Sequence, residues 1–371
     1  MRFYLYIIFC LVLTSSCKFS EETTTESNSE PMEFYVGTYT DAESEGIYKY
    51  QLTNEGHIKF VNLAARSDNP SFLTMSKDKQ YLLAVNEIGE GRIESFSIDG
   101  DSLTPISSSA SGGSSPCYIT INDEGLVLAA NYSSGTISLL QLDNQGRLSK
   151  PLDIQQHSGE GTTSRQQGPH AHSVYFAPKN NEVVSVDLGT NELWFFELDE
   201  KGEELKPIAP YKLVMESGAG PRHLDFHPSE NFLYVLNELN STVSVIEKTS
   251  DSEYKVRRNY TTLPDDFKGE NYGADIHISS DGKFLYTSNR GHNSIAIFAI
   301  ENGGDTLRLI DTIHVEGDWP RNFSLSPDER FLIVANQYSN NLVSFMRNQK
   351  TGKLDFLMSL DAPTPVNVLF P

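Results

Sequence analysis

The sequence predicts an all-β protein, a seven-bladed β-propeller built from four-stranded antiparallel blades. Three observations lead to this fold. A phrase of about fifty residues recurs along the chain, each copy alternates apolar and polar residues between turn signals, and a further copy is split between the two ends of the chain. Repeats of this length with about four strands each are typical of propeller blades. A helical solenoid is excluded, because no stretch keeps a 3.6-residue apolar period for ten residues.

Each copy of the phrase contains a proline or glycine, a short apolar strand, a polar turn, a second apolar strand and a terminal Asn or Asp. Turn chemistry such as Asp281-Gly282 separates the two strands, and a third apolar strand follows each copy. The copies cover residues 69–87, 115–132, 168–189, 220–238, 272–290 and 319–337. Their terminal residues are Asn86, Asn131, Asp187, Asn237, Asn289 and Asn336.

The seventh copy consists of residues 34–40 and residues 363–370. A split copy fits a ring in which the last strand completes the first blade, because this closure removes an exposed sheet edge. We therefore expect a single propeller over residues 33–371, with six or eight blades as the nearest alternatives.

Charge excludes one large class of partners. The chain of 371 residues carries 29 Lys and Arg against 50 Asp and Glu, a formal net charge of −21 at pH 7. Binding to nucleic acid or to an anionic membrane surface needs clustered positive charge. We expect no nucleic-acid partner, and contact with a membrane only through a lipid anchor.

The first residues predict export. Arg2 precedes an apolar run, Phe3 to Leu13, which is too short to span a bilayer as a helix and is typical of a signal peptide. The run ends in Leu-Thr-Ser-Ser-Cys, which resembles a bacterial lipobox. We expect a lipoprotein signal peptide at 1–16, lipidation of Cys17, a flexible tether at 17–32, and a location at the periplasm or cell surface. The alternative is ordinary signal cleavage nearby, with Cys17 incidental.

The spacing inside each copy places chemical groups at one end of the propeller. Two antiparallel strands of about six residues go out and come back, so a residue before the first strand and a residue after the second reach the same end. A ring of such residues around the axis is a natural small-molecule pocket. The residues placed there are Asn86, Glu87, Asn131, His170, His172, Arg222, Glu238, Asn289, Arg290, Arg321 and Gln337.

Arginine gives the strongest signal within this set. Arg222, Arg290 and Arg321 recur at the same end of an acidic chain, and convergent guanidinium groups suit a phosphate or carboxylate ligand. The alternative is that they neutralise acidic loops. The repeated Asn residues can equally bond turn backbone. His170 and His172 share a strand face, but without a placed carboxylate they are weak support for a metal site, so we expect none.

These motifs resemble the lactonase family of seven-bladed propellers, which includes propeller-type 6-phosphogluconolactonases and the fungal carboxy-cis,cis-muconate cyclase. The resemblance covers nearly the whole chain after the signal peptide, although the copy YGADIHI lacks the proline. It rests on NPSFL…VNE, GPHAHSV…DLG, GPRHLDFHP…VLNE, SDGKFLYTSNRGHNSIAIF and WPRNFSLSPDERFLIVANQ. The active-site groups that it implies are Glu238, Arg222 and His170 or His172, with Arg290 or Arg321 assisting.

The function implied is hydrolysis of a sugar lactone, plain or phosphorylated, without a cofactor, by a monomer. Glu238 or one of the paired histidines would take a proton from water, and Arg222 would stabilise the carbonyl oxygen. The expected substrate contacts are Arg290, Arg321, Asn86, Glu87, Asn131, Asn289 and Gln337. The alternative is a non-catalytic exported propeller that binds a ligand or partner. The differences among blades favour the enzyme, because a scaffold repeats one phrase.

Overall fold

The computed structural model describes residues 1–2, 30–178, 181–249 and 253–371, and residues 31–371 form one compact unit. Apart from its first two residues, the predicted signal peptide lies outside the described residues, as do Cys17 and the tether up to residue 29. Among the described residues, no helix has both the length and the apolar character needed to cross a bilayer.

The described chain folds into seven four-stranded antiparallel sheets, which are the blades of a propeller. Blade 1 contains β28 (Pro365–Leu369), β1 (Met32–Thr38), β2 (Gly46–Leu52) and β3 (Ile58–Arg66). Blade 2 contains β4 (Leu73–Met75), β5 (Tyr81–Asn86), β6 (Arg92–Asp99) and β7 (Ser102–Ala110). Blade 3 contains β8 (Pro116–Ile121), β9 (Leu126–Asn131), β10 (Thr136–Gln141) and β11 (Asp153–Gln156).

The remaining four blades follow in chain order. Blade 4 contains β12 (Ala171–Phe176), β13 (Glu182–Asp187), β14 (Glu192–Leu198) and β15 (Leu205–Val214). Blade 5 contains β16 (Pro221–Phe226), β17 (Phe232–Asn237), β18 (Thr242–Lys248) and β19 (Tyr254–Thr261). Blade 6 contains β20 (Tyr272–Ile278), β21 (Phe284–Arg290), β22 (Ser294–Glu301) and β23 (Thr306–His314), with a short 3-10 helix at Asn302–Gly304. Blade 7 contains β24 (Pro320–Leu325), β25 (Phe331–Asn336), β26 (Asn341–Arg347) and β27 (Leu354–Asp361).

The predicted fold class is confirmed, including the split blade. The last strand, β28, pairs antiparallel with β1, with Val368 opposite Val36. The first strands of blades 2 to 7 contact one another and β28 in a closed circle, which makes these seven the inner strands around the axis. Pairing with β28 therefore covers the edge that β1 would otherwise leave exposed.

The apolar core lies between the blades. Buried side chains of the described residues group into seven clusters, and each cluster joins two neighbouring blades. The cluster that closes the ring packs Phe34 and Tyr50 of blade 1 against Phe331 and Leu342 of blade 7. The apolar side chains pack between the blades and not along the ring axis. Polar and charged side chains can therefore lie around the axis.

Candidate active site

A polar cavity of about 230 Å³ opens at one end of the ring, where the inner strands begin. Every blade supplies at least one side chain to its lining. The lining residues are Tyr39, Glu87, Cys117, Tyr132, Arg165, His172, Glu238, Arg290 and Arg321. The structure thus brings together five residues that the spacing of the repeat predicted for this end, namely Glu87, His172, Glu238, Arg290 and Arg321.

A β-bulge near the start of the inner strand recurs in five blades and turns one side chain out of the ladder. The pairing register shifts in β8, β12, β16, β20 and β24, close to the proline, alanine or glycine that begins the pairing. Bulges re-aim a side chain in this way without ending the strand. The residues skipped by the register in four of these strands are Cys117, His172, Arg222 and Arg321.

The end of the second strand supplies the other lining position. Glu87, Tyr132 and Glu238 directly follow β5, β9 and β17, and the Glu238 amide donates to the Gly220 carbonyl at 2.7 Å. Arg290 is the last residue of β21. The cavity lining is thus drawn from two positions, the bulge in blades 3, 4 and 7 and the end of the second strand in blades 1, 2, 3, 5 and 6.

Glu238 is held by three arginines. Its Oε2 lies 3.1 Å from Arg222 Nε and 2.9 Å from Arg290 Nη2, and its Oε1 lies 3.2 Å from Arg165 Nη2. Burial opposes ionisation of Glu238, but Arg290, Arg222 and Arg165 outweigh it and lower the pKa to about 2. A carboxylate so strongly stabilised is a poor proton acceptor, and its main effect is to fix the arginines.

A second ion cluster forms the opposite wall. Tyr39 donates its hydroxyl proton to Glu87 Oε2 at 2.8 Å, while Arg321 Nη2 donates to the Tyr39 oxygen at 2.6 Å. Arg321 Nη2 also lies 3.9 Å from Glu87 Oε2. Tyr39 thus holds one side of the Arg321 guanidinium group, and the remaining N–H groups can bind a ligand.

The two paired histidines occupy different environments. His172 lines the cavity and is almost completely buried, whereas His170 stacks on Tyr132 with ring centroids 4.5 Å apart, and its Nδ1 lies 3.0 Å from the Tyr132 carbonyl oxygen. Burial and the charges of Arg222 and Arg321 hold the pKa of His172 well below its usual value. His172 therefore lies at the cavity as a neutral imidazole, whereas His170 stacks on Tyr132 outside the lining.

Cys117 brings a thiol, a group that can act as a nucleophile, to the cavity, but its environment makes the thiol unreactive. Burial, followed by the Glu87 charge, raises the pKa of the Cys117 thiol. Since the thiolate is the reactive form, a thiol kept protonated at neutral pH serves as a packing group.

Comparisons with known proteins agree with the seven-bladed fold. The family model "Lactonase, 7-bladed beta-propeller" matches residues 33–370. The 6-phosphogluconolactonase of Bacillus subtilis (strain 168) is 37% identical over 343 residues, covering 91% of this chain and 97% of the relative.

The chain belongs to the lactonase family of seven-bladed propellers.

Two solved structures resemble the lactonase along most of its length. The structure of the periplasmic gluconolactonase of Pseudomonas aeruginosa matches with a TM-score of 0.87 and 30% identity, covering 92% of this chain and 99% of that one. The structure of a putative 6-phosphogluconolactonase from Bacteroides fragilis matches with a TM-score of 0.86 and 30% identity, covering 93% and 99%. The predicted family is confirmed by these matches, while lipidation at Cys17 stays a prediction.

Four of the polar residues that we expected to contact substrate lie away from the cavity lining. The side-chain amides of the repeated Asn residues bond the connections that precede their blades: Asn86 donates to the Asp68 carbonyl at 2.8 Å, and Asn289 to the Thr262 carbonyl at 3.0 Å. Asn131 similarly bonds Ser111 and Thr136. Gln337 follows β25 but does not line the cavity. This arrangement fits the alternative reading, in which the Asn residues secure loops between strands.

Sequence reasoning missed two kinds of lining residue in the lactonase. Arg165 lies on the connection between β11 and β12, where the repeat gives no reference position, and its Nη2 reaches the Tyr132 hydroxyl at 3.1 Å. Tyr39 follows β1 in the split copy and corresponds to Glu87 and Glu238 in intact copies. Alignment of the half copy would have found Tyr39, but no sequence pattern marks Arg165.

The donor set of this cavity suits an anion. Arg165, Arg290 and Arg321 line the cavity with Glu87 and Glu238. Arg222 is not among the lining residues but pairs with Glu238 from its buried position, so guanidinium groups outnumber carboxylates at the site. Within the described residues, no group of three or more His, Cys, Asp or Glu side chains is arranged to hold a metal ion.

Proposed function

We propose that this lactonase hydrolyses the cyclic ester of an anionic sugar lactone, with His172 as the proton acceptor. The observation that carries the proposal is a neutral imidazole beside an excess of guanidinium charge in one cavity. Phosphate and carboxylate groups match guanidinium geometry and charge, whereas an uncharged ligand would leave this charge uncompensated. The name of the B. subtilis relative, 6-phosphogluconolactonase, supports a sugar lactone as substrate.

His172 performs the proton transfers in this scheme. Its neutral ring has a lone pair for the proton of an attacking water, and it can return that proton to the ring oxygen as the ester bond breaks. The charges of Arg222 and Arg321 that depress the pKa of His172 are compensated when an anionic substrate enters, so binding makes it a stronger base. Glu238, with a pKa of about 2, keeps its three arginines in place.

Arg222 stabilises the reaction's negative charge. Water attack on the lactone carbonyl forms a tetrahedral oxyanion, which collapses as the carbon–oxygen bond of the ring breaks, giving a hydroxy acid. Arg222 is almost completely buried and fixed by Glu238, and a charged donor that is already in place stabilises an oxyanion without reorganisation.

Arg321 and Arg165 are suited to the substrate's anionic group. Arg321 is held from one side by Tyr39, and Arg165 lies at the open side with 48% of its side chain exposed. Solvent screens the ion pair between Arg165 and Glu238 from the arginine side, which weakens it. Arg165 can therefore exchange its contact with Glu238 for a substrate phosphate at little cost.

The test is turnover by purified residues 18–371 on a panel of plain and phosphorylated aldonolactones, measured as acid release above the spontaneous rate. We expect turnover that resists a chelator, falls steeply in Arg222→Ala and His172→Gln, and favours phosphorylated substrates. Unchanged turnover in His172→Gln would assign the base elsewhere. Loss of activity with chelator and recovery with added metal would contradict the metal-free scheme. No turnover on any lactone would favour the non-catalytic binding propeller.

We further propose that the protein is exported and anchored through Cys17. The Leu-Thr-Ser-Ser-Cys segment supports lipidation, and the Pseudomonas relative is described as periplasmic. Cys17→Ser should release the protein from the membrane fraction and abolish incorporation of labelled fatty acid, whereas Cys10→Ser should change neither. Membrane association that survives Cys17→Ser would contradict the anchor.

A further inference from the structure

A buried carboxylate, Asp275, lies beneath the cavity and takes no part in the reaction scheme above. It belongs to β20 of blade 6, and only 3% of the residue is exposed. Burying a charge is costly unless it is paired and hydrogen-bonded, so the groups around Asp275 indicate what it does.

Four donors from three blades converge on this carboxylate. His223 Nδ1 lies 2.8 Å from Oδ1, His277 Nε2 lies 3.0 Å from Oδ2, and the Asn322 amide donates to Oδ2 at 2.5 Å. The Phe323 backbone amide completes the set at 3.4 Å from Oδ2. A carboxylate can accept four hydrogen bonds, whereas the amide of Asn has a single accepting oxygen. The site therefore requires Asp at this position.

His223 connects Asp275 to the reaction's oxyanion donor. Because a carboxylate only accepts, His223 Nδ1 carries the ring proton, and Nε2 is left with a lone pair. That Nε2 lies 3.3 Å from Arg222 Nη1, a group that only donates. Asp275 thus fixes the tautomer in which His223 accepts a hydrogen bond from Arg222.

The neutral state of His223 agrees with this geometry. Burial, followed by the positive charge of Arg222, lowers the pKa of His223 to about 4. Protonated His223 would place a second cation and a donor against the guanidinium. The neutral ring instead orients Arg222 from below, while Glu238 holds it from the side at 3.1 Å.

Asn322 connects the same carboxylate to the second cluster. It follows Arg321 at the bulge of β24, and its side-chain oxygen accepts from the Val368 amide of the closing strand at 2.7 Å. The backbone that carries Arg321 is therefore tied to blade 6 through Asp275 and to blade 1 through Val368.

We propose that Asp275 is a positioning residue for lactone hydrolysis, which orients Arg222 through His223 and Arg321 through Asn322. The inference rests on the proposed function for its catalytic consequence, but the geometry of the His223 tautomer does not depend on it. The hydrogen bonds of Asp275 thereby position the guanidinium groups of Arg222 and Arg321 relative to the lactone carbonyl and the anionic group of the substrate.

The decisive variants replace His223, with a matched control at the other end of the same blade. His223→Leu removes both hydrogen bonds, and His223→Gln keeps a donor for Asp275 and an acceptor for Arg222. His227→Leu is the control, because His227 is also buried and also bridges to blade 6, where its Nε2 lies 3.3 Å from the Gly282 carbonyl oxygen.

We expect His223→Leu to lower kcat by roughly 10- to 100-fold, less than loss of the oxyanion donor itself, with a smaller change in KM. His223→Gln should recover most of the lost kcat. His227→Leu should lower the melting temperature and leave kcat unchanged. Unchanged kcat in His223→Leu, or equal losses in the Leu and Gln variants while both remain folded, would overturn the proposal.

A second measurement tests the tautomer of His223 directly in the wild-type protein. ¹⁵N NMR of histidine-labelled wild-type protein, with the His223 signal identified by its absence in His223→Gln, should show a neutral ring protonated at Nδ1 at pH 7. A ring protonated at Nε2 would overturn the proposal, since it cannot accept from Arg222. Absence of lactone turnover in the wild-type enzyme would instead count against the proposed function alone.

Discussion

At the scale of single residues, the site is governed by how its charges are paired. Glu238, Arg222 and Arg290 form a buried ionic group, in which removing one partner leaves uncompensated charge and is strongly destabilising. The same pairing decides the chemistry. A free glutamate would be a candidate base, but three arginines lower the pKa of Glu238 to about 2 and favour its anionic form.

Glu238 should make stability depend on pH. Its pKa falls from 4.5 when unfolded to about 2 when folded, so its contribution is complete above about pH 4.5 and is lost as pH falls towards 2. The shift corresponds to about 3 kcal/mol of unfolding free energy. Urea unfolding at several pH values should show a stability gap between wild type and Glu238→Gln that narrows below pH 4.5.

The matched control for this prediction is Glu45→Gln, which removes an exposed glutamate paired with Arg66 and should change stability by no more than about 0.5 kcal/mol. A gap for Glu238→Gln that stays constant from pH 7 to pH 3 would show that its ionisation does not stabilise the fold.

Arg165 should influence substrate choice more than stability. Arg165→Gln is expected to lower kcat/KM for phosphorylated lactones by about tenfold, the value of one charge-assisted hydrogen bond, and to affect plain lactones less. The ratio of the two kcat/KM values is the measurement. Arg92→Gln, an exposed arginine at the same end of the ring, should leave the ratio unchanged. Equal losses on both substrates in Arg165→Gln would contradict a role in phosphate binding.

At the scale of strands and blades, the same inner-strand bulge carries a different side chain in different blades. The inner-strand bulge presents a thiol in blade 3, an imidazole in blade 4 and guanidinium groups in blades 5 and 7. Because the bulge is a property of the backbone, the side chain at this position can vary without disturbing the blade. The blade interfaces carry the packing that makes this freedom possible.

Packing between blades should be sensitive to cavities. Leu342 is fully buried in the cluster between blades 7 and 1, so Leu342→Ala should cost about 2 to 5 kcal/mol of unfolding free energy. Leu309→Ala, at a partly exposed position of β23, should stay within about 0.5 kcal/mol of wild type. Chemical denaturation measures both, and similar losses for the two variants would contradict a core located between blades.

At the scale of the whole molecule, stability and catalysis both depend on ring closure. The cavity collects side chains from all seven blades, so a ring that opens between β1 and β28 also separates Tyr39 from Arg321. The closing strand carries the Val368 amide that anchors Asn322.

A charge placed in the closing strand should therefore open the ring. Val368 is buried opposite Val36, and Val368→Asp should destabilise the protein by more than about 3 kcal/mol, since it buries an unpaired carboxylate. Ile154→Asp is the control, because Ile154 is exposed on the outer strand β11. Thermal unfolding followed by circular dichroism measures both, and a wild-type melting temperature for Val368→Asp would show that closure by β28 is dispensable.

The sequence by itself determined the blade repeat, the split closing blade and the end of the ring where Arg222, Glu238, Arg290 and Arg321 meet, because strand length and turn position follow from local residue pattern. Tertiary structure alone decided that the repeated Asn amides bond the connections between blades, that Arg165 joins the cavity, and that Asp275 ties three blades together. It also decided that Glu238 is paired with three arginines, while His172 lies at the cavity as a neutral imidazole. Those outcomes depend on distances between charged groups that are far apart in the chain. Such pairs produce no periodic pattern of residues, so they cannot be recognised from the sequence.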